Sequence, residues 1–141
     1  MCDYVYDLRP AATLTKVVGT PIALEAVPAG FPSPAQDYFS GDIDLNEHLI
    51  KDRAATFIVR IAGDSMLGAG ISNGDELIVD RSLTPRNRSI VIAVVEGEMT
   101  VKRLITTPQG PELHPENPAY PILKPAELEV WGVVTTCLHH L

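Results

Sequence analysis

The stretch AGDSMLGAGISNGDELIVD, residues 62–80, places Ser65 between an acid and a methionine. It follows the apolar run TFIVRIAG and opens a glycine-rich loop. A serine hydroxyl is a weak nucleophile until a base takes its proton. No histidine lies close to it in the chain. A lysine can be that base as the neutral amine, a form that complete burial favours by up to about 3–5 pKa units. Lys102, downstream in EMTVKRLI, is the candidate. Gly63 lets the backbone turn sharply just before the serine. The backbone N–H groups of Asp64 and Ser65 are then candidates to hold a developing oxyanion. Read alone, Gly-Asp-Ser-Met is a weak signal, since serines in such loops usually cap or solvate turns.

The elements that must position these groups are strands. TFIVRIAG, ELIVD, SIVIAVVEG, EMTVKRLI and LEVWGVVTTCL are short runs rich in Val, Ile and Thr. Gly, Pro and Asn separate them, which predicts strand after strand with no long helix between. SIVIAVVEGEMTVKRLI reads as a hairpin turning near Glu96 and Gly97. On its second strand, alternation puts Thr100, Lys102 and Leu104 on one face. Met99, Val101, Arg103 and Ile105 take the other. A lysine on a half-apolar face is ordinarily a snorkelling surface residue, so Lys102 needs Ser65 opposite it to mean more.

Upstream of Ala54 the texture differs. VPAGFPSPAQDYFSGD, residues 27–42, holds three prolines and two glycines. Residues before proline are pushed toward extended conformations, so this is an arm and not a helix. DLNEHLIKD predicts one short helix, with Leu45 and Leu49 at i, i+4 and a capping box from Asp44 and Glu47. The fold class is mainly β: a compact β domain over residues 54–141, a linker with a short helix over 30–53, and an extended N-terminal arm over 1–29.

Composition narrows the partners. The chain has 141 residues, 11 basic and 18 acidic, for a net charge of −7. Such a chain is repelled by phosphate backbones unless its bases share one face. The densest basic stretch, RSLTPRNR, is loop-like, so direct DNA binding is not expected. No apolar run reaches the ~18 residues a membrane span needs, and no basic leader precedes an apolar stretch. Cys2 and Cys137 stand far apart and form no disulfide framework, which fits reduced thiols in a cytoplasmic protein. His48, His114, His139 and His140 match no familiar metal-ligand spacing. No metal and no cofactor are expected. Asp64, Asp75 and Asp80 read as turn and capping acids, with Asp75 able to shape the site. Trp131 reads as core or interface packing, and the long apolar run Leu128–Leu138 as an edge open to a second chain.

Several motifs in one order carry a resemblance. They are VPAGFPSP (Val27–Pro34), DLN (Asp44–Asn46), GDSM (Gly63–Met66), SNGDELIVD (Ser72–Asp80) and TVKRL (Thr100–Leu104). In this order and spacing the chain resembles the UmuD and LexA family of self-cleaving serine–lysine proteins, in its UmuD branch, from about Val27 to the C-terminus. The resemblance implies that Ser65 is the nucleophile and Lys102 the general base. It implies a cut in the chain's own Ala29–Gly30 bond, with Val27 as the apolar residue two positions before Ala29 and Pro28 a mild departure. It implies a homodimer, a RecA–single-stranded-DNA filament that promotes cleavage, and a Y-family (UmuC-like) polymerase subunit served by the processed chain. The residues before the cut are too few for the DNA-binding domain of LexA-type repressors. Two other readings share some of these features: a binding module with a vestigial serine–lysine pair, and a signal-peptidase relative, which lacks the anchor.

Overall fold

The computed structural model describes residues 4–10, 20–23, 29 and 39–141. By backbone packing the chain divides into two units, Met1–Ala12 with Asp52–Leu141, and Thr13–Lys51. The larger unit is one antiparallel sheet. Its strands in chain order are β1 (Tyr4–Pro10), β4 (Thr56–Ala62), β5 (Glu76–Asp80), β6 (Ile90–Val95), β7 (Glu98–Thr107), β8 (Gly110–His114) and β9 (Glu129–Leu138). The smaller unit pairs β2 (Thr20–Ala23) with β3 (Phe39–Ile43) and carries helix α1 (Leu45–Leu49).

Helix α1 starts where the sequence places it. The Asp44 side chain accepts the Asn46 N–H at 2.9 Å, which satisfies one of the free donors of the first turn. It buries no residue, so its cap, more than packing, defines it.

In the sheet the order is β1-β4-β5-β9-β6-β7-β8. The five runs read as strands become β4, β5, β6, β7 and β9. The β6–β7 hairpin closes with Val95 opposite Glu98. Glu96 and Gly97 at its tip have φ of 52° and 79°, the backbone of a two-residue turn whose twist matches that of the strands. The register sets Lys102 opposite Val91 and Thr100 opposite Ala93.

Two expectations change. The last strand is no edge: β9 lies between β5 and β6, hydrogen-bonded on both sides. Its apolar run therefore serves pairing within the sheet and not an open edge. The edges of the described sheet are β1 and β8. Strands β1, β2 and β3 also occur where the sequence showed no periodicity. β1 and β8 are recruited by backbone pairing to a neighbour, which needs no apolar alternation. β8 even accommodates Pro111, as an edge strand can.

Alternation divides the buried residues into two clusters. One holds Val59, Ile61, Met66, Ile71, Leu77, Val79, Ile92 and Val101. The other holds Val91, Ala93, Leu104, Leu113 and Val133. Trp131 packs edge-on against Phe57 with centroids 5.1 Å apart, and the Arg81 guanidinium lies over its ring at 4.4 Å. Leu77 is fully buried in the first cluster. Leu77→Ala should lower unfolding free energy by about 2–5 kcal/mol, read from urea denaturation with the slope unchanged.

Candidate active site

The two residues singled out by chemistry meet. Lys102 Nζ lies 3.1 Å from Ser65 Oγ, across 37 residues of chain. Ser65 has no exposed surface and Lys102 keeps 4%. Two further groups hold the amine: Thr100 Oγ1 at 2.9 Å and the Val101 carbonyl at 3.0 Å. These three partners are two hydroxyls and a carbonyl. A carbonyl can only accept, so Val101 takes one N–H of the amine. The Thr100 hydroxyl can take a second. At 3.1 Å, the lone pair of a neutral amine can accept the Ser65 hydroxyl proton. Such an arrangement can do general-base-assisted acyl transfer.

Local sequence explains how Ser65 is presented. β4 ends at Ala62, and Gly63 then adopts φ of 99°, a conformation that side chains resist. Its N–H donates to Asn73 Oδ1 at 2.8 Å. The chain turns out of the sheet and Met66 drops into the first apolar cluster. A single 3-10 turn, Leu67–Ala69, follows. Ser65 is thereby held between a sharp turn and a buried anchor.

A second segment, after β8, grips the same loop. The Glu116 N–H donates to the Ser65 carbonyl at 2.8 Å, and the Gly68 N–H donates to the Glu116 carbonyl at 2.8 Å. Asn117 Nδ2 donates to the Asp64 carbonyl at 2.9 Å, and the Tyr120 hydroxyl to Asp64 Oδ1 at 2.6 Å. The approach is close: a Cβ on Gly68 would stand 2.7 Å from the Glu116 carbonyl oxygen. Asp64, read as a turn acid, is thus an acceptor for a distant loop.

Asp75 does more than cap. Its carboxylate is buried and accepts the Ser72 N–H at 2.7 Å, the Cys137 thiol at 3.3 Å and, at 2.6 Å, His139 Nδ1. Its backbone carbonyl accepts the Ile61 N–H at 2.9 Å. It therefore ties the loop following Ser65 to the end of β4 and to the end of β9. Burial alone would raise its pKa. The hydrogen bonds from Ser72, His139 and Cys137, with the His139 charge, instead hold it below the usual carboxylate value. Burial, and then the Asp75 carboxylate, push the Cys137 thiol up to about 11, so it stays protonated at neutral pH. Asp80 is a turn acid as expected, accepting from Ser82 N–H and hydroxyl.

The histidines go to separate places. His48 lies in the last turn of α1, His114 lies 3.8 Å from Glu112, His139 binds Asp75, and His140 binds Glu76. Among the described residues no group of three or more ligating side chains is placed to hold a metal ion. Ala29 is exposed. Gly30, Val27, Pro28 and Cys2 lie outside the described residues. No described helix is long and apolar enough to cross a membrane.

Sequence reasoning missed Thr100 as a partner of the amine, although its spacing of two from Lys102 put both on one strand face. It missed Glu116, Asn117 and Tyr120 entirely. Their contacts reach back about 50 residues in the chain, and no local pattern marks them.

An antiparallel β fold that buries a serine hydroxyl against a lysine amine is the arrangement of a serine peptidase, here of the LexA and UmuD type. The chain belongs to the Peptidase S24-like family, whose model matches residues 21–135. It is 50% identical over 119 residues to protein SamA of Salmonella typhimurium, covering 84% of each chain. It is 40% identical over 136 residues to protein MucA of Escherichia coli, covering 94% of this chain and 92% of that protein. To the LexA repressor of Delftia acidovorans it is 40% identical over 107 residues, which span 76% of this chain and 47% of the repressor.

The sign of the Asp75 effect on stability follows from its lowered pKa. The unfolded carboxyl titrates near ~3.9, above its folded value. Its contribution is therefore present above about pH 4 and is lost as pH falls through the folded pKa. Wild type should out-melt Asp75→Asn at neutral pH, and the difference should shrink steadily below about pH 4 in thermal unfolding followed by circular dichroism.

Proposed function

We propose that this chain is a self-cleaving serine peptidase of the DNA-damage response that cuts its own Ala29–Gly30 bond. The observation that carries the proposal is the 3.1 Å approach of Lys102 Nζ to a fully buried Ser65 Oγ. Lys102 takes the Ser65 proton as Oγ attacks the Ala29 carbonyl carbon. The backbone N–H groups of Asp64 and Ser65 hold the oxyanion. The carbon–nitrogen bond then breaks and Lys102 returns the proton to the Gly30 nitrogen. Water, deprotonated in turn by Lys102, releases the acyl group from Ser65. Alanine offers little bulk to a narrow site, and glycine lets the chain kink toward the nucleophile.

Burial of the nucleophile supports self-cleavage over general proteolysis. A hydroxyl closed to bulk water meets only a segment that the protein itself seats. Tethering supplies that segment at high effective concentration, up to about 10⁵–10⁸ M in well-aligned cases. By the same reading a RecA–single-stranded-DNA filament promotes cleavage by favouring the docked state, and the processed homodimer serves a Y-family polymerase. The protein names SamA, MucA and LexA among its relatives support this assignment. The segment 1–29 holds three acids and two bases. Its removal changes charge little, so what it changes is the surface offered to a partner.

Purified protein aged at alkaline pH should release a fragment beginning at Gly30, identified by mass spectrometry. Ser65→Ala should abolish it, and Lys102→Ala should slow it by about 10²–10⁴-fold, with both variants melting as wild type. A Lys102→Ala protein that cleaves normally would exclude this base. The rate should climb from neutral to alkaline pH, because only the unprotonated amine accepts a proton. A flat profile over that range would contradict the mechanism.

A further inference from the structure

We propose that Arg103 is a positioning residue for the Ser65 nucleophile, acting through Glu116. The inference rests on the reading of Ser65 and Lys102 as the reacting pair. Arg103 follows Lys102 on β7, so alternation sends the two side chains to opposite faces. Lys102 reaches Ser65 directly. Arg103 reaches it by another route. Its Nε donates to Glu116 Oε1 at 2.6 Å, and its Nη1 donates to the Arg88 carbonyl at 2.7 Å. Glu116 then brackets the nucleophile with its backbone, donating to the Ser65 carbonyl and accepting from Gly68. The base and the clamp on the nucleophile are thus carried by adjacent residues of one rigid strand.

The guanidinium suits this task. It presents several N–H groups in a fixed planar fork, so two acceptors can be held at once. Arg88 is itself fixed, its N–H donating to the Leu104 carbonyl at 2.7 Å. The Arg103 and Glu116 side chains keep 27% and 34% of their surface exposed. An ion pair that accessible contributes little to global stability. Its geometric effect is larger, since a displacement of about 1 Å at a reacting group can cost about 10²-fold in rate. The pair should therefore matter much more to cleavage than to folding.

Three full-length variants test this by alkaline self-cleavage: Arg103→Gln, Glu116→Gln and the double variant. Each single change should slow cleavage by about ten- to a hundredfold, with the pH midpoint of the profile and the melting temperature close to wild type. The double variant should be no slower than the worse single. A purely electrostatic influence on Lys102 predicts something else: removing a positive and removing a negative charge would move the rate in opposite directions. That outcome, wild-type rates in both singles, or a loss that tracks unfolding would overturn the proposal. Gly68→Ala, which forces the Glu116 carbonyl away from the other side, should slow cleavage as well; normal cleavage in that variant would count against the clamp. Ser65→Ala is the control that separates the two levels. If it still cleaves, the reading of the site falls and this inference with it. If it is inert while Arg103→Gln cleaves normally, only this inference falls.

Discussion

The fold is organised around removing one lysine amine from water. Burying an ammonium costs free energy. Among the groups that hold this amine are two hydroxyls and a carbonyl, from Ser65, Thr100 and Val101. This requires β7 to run inside the sheet, with β6 on one side and β8 on the other. The sheet face that carries Lys102 also carries the apolar Val91, Ala93 and Leu104. Thr100 is at once part of that face and a partner of the nitrogen. A strand is well suited to the purpose, because a spacing of two keeps both groups aimed the same way whatever the loops do.

The serine is treated differently. Lys102 sits within a strand, whereas Ser65 sits in a loop, where geometry has to be imposed from outside. Three separate parts of the chain impose it. Gly63 and Asn73 set the exit from β4. Asp75 holds the far end of the loop through Ser72 and anchors it to β9 through Cys137 and His139. The segment from Glu116 to Tyr120 closes over the top. Loops carry function when a rigid scaffold positions them. Here the scaffold contacts the loop through the Glu116 backbone and through the side chains of Asp75, Asn117 and Tyr120.

What was legible in the sequence divides along the same line. The five central strands and the hairpin turn at Glu96 and Gly97 follow from β-branched runs and turn chemistry, which are local. The pairing of Ser65 with Lys102 was within reach through the ordered motifs GDSM and TVKRL and the family resemblance they carry; a serine and a lysine alone were a weak signal. Strands β1, β2, β3 and β8 were not legible, because backbone pairing to a neighbour leaves no periodic trace. The place of β9 was misread for a related reason. An apolar run looks the same whether its edge is open or paired, and only the sheet order decides. The clamp residues were illegible because each contact joins two loops, and nothing in PENPAY or GDSM alone points to the other.

A closed site also bounds how such an enzyme can be controlled. With Ser65 fully covered, the proposed mechanism allows cleavage only in molecules whose scissile segment is seated at the hydroxyl with the amine neutral. Let that fraction be f. A promoting filament that supplies no catalytic group can raise the rate by at most 1/f, since it acts only by shifting population. If f is about 10⁻³, the ceiling is about a thousandfold; a differential affinity of about 4 kcal/mol brings docking only to about half, and approaching the ceiling takes more. Alkaline pH acts on the other condition, the protonation of Lys102, and leaves docking alone. The two stimuli are then independent factors of one rate. Their effects multiply until each condition saturates, and neither can substitute for the other at its limit.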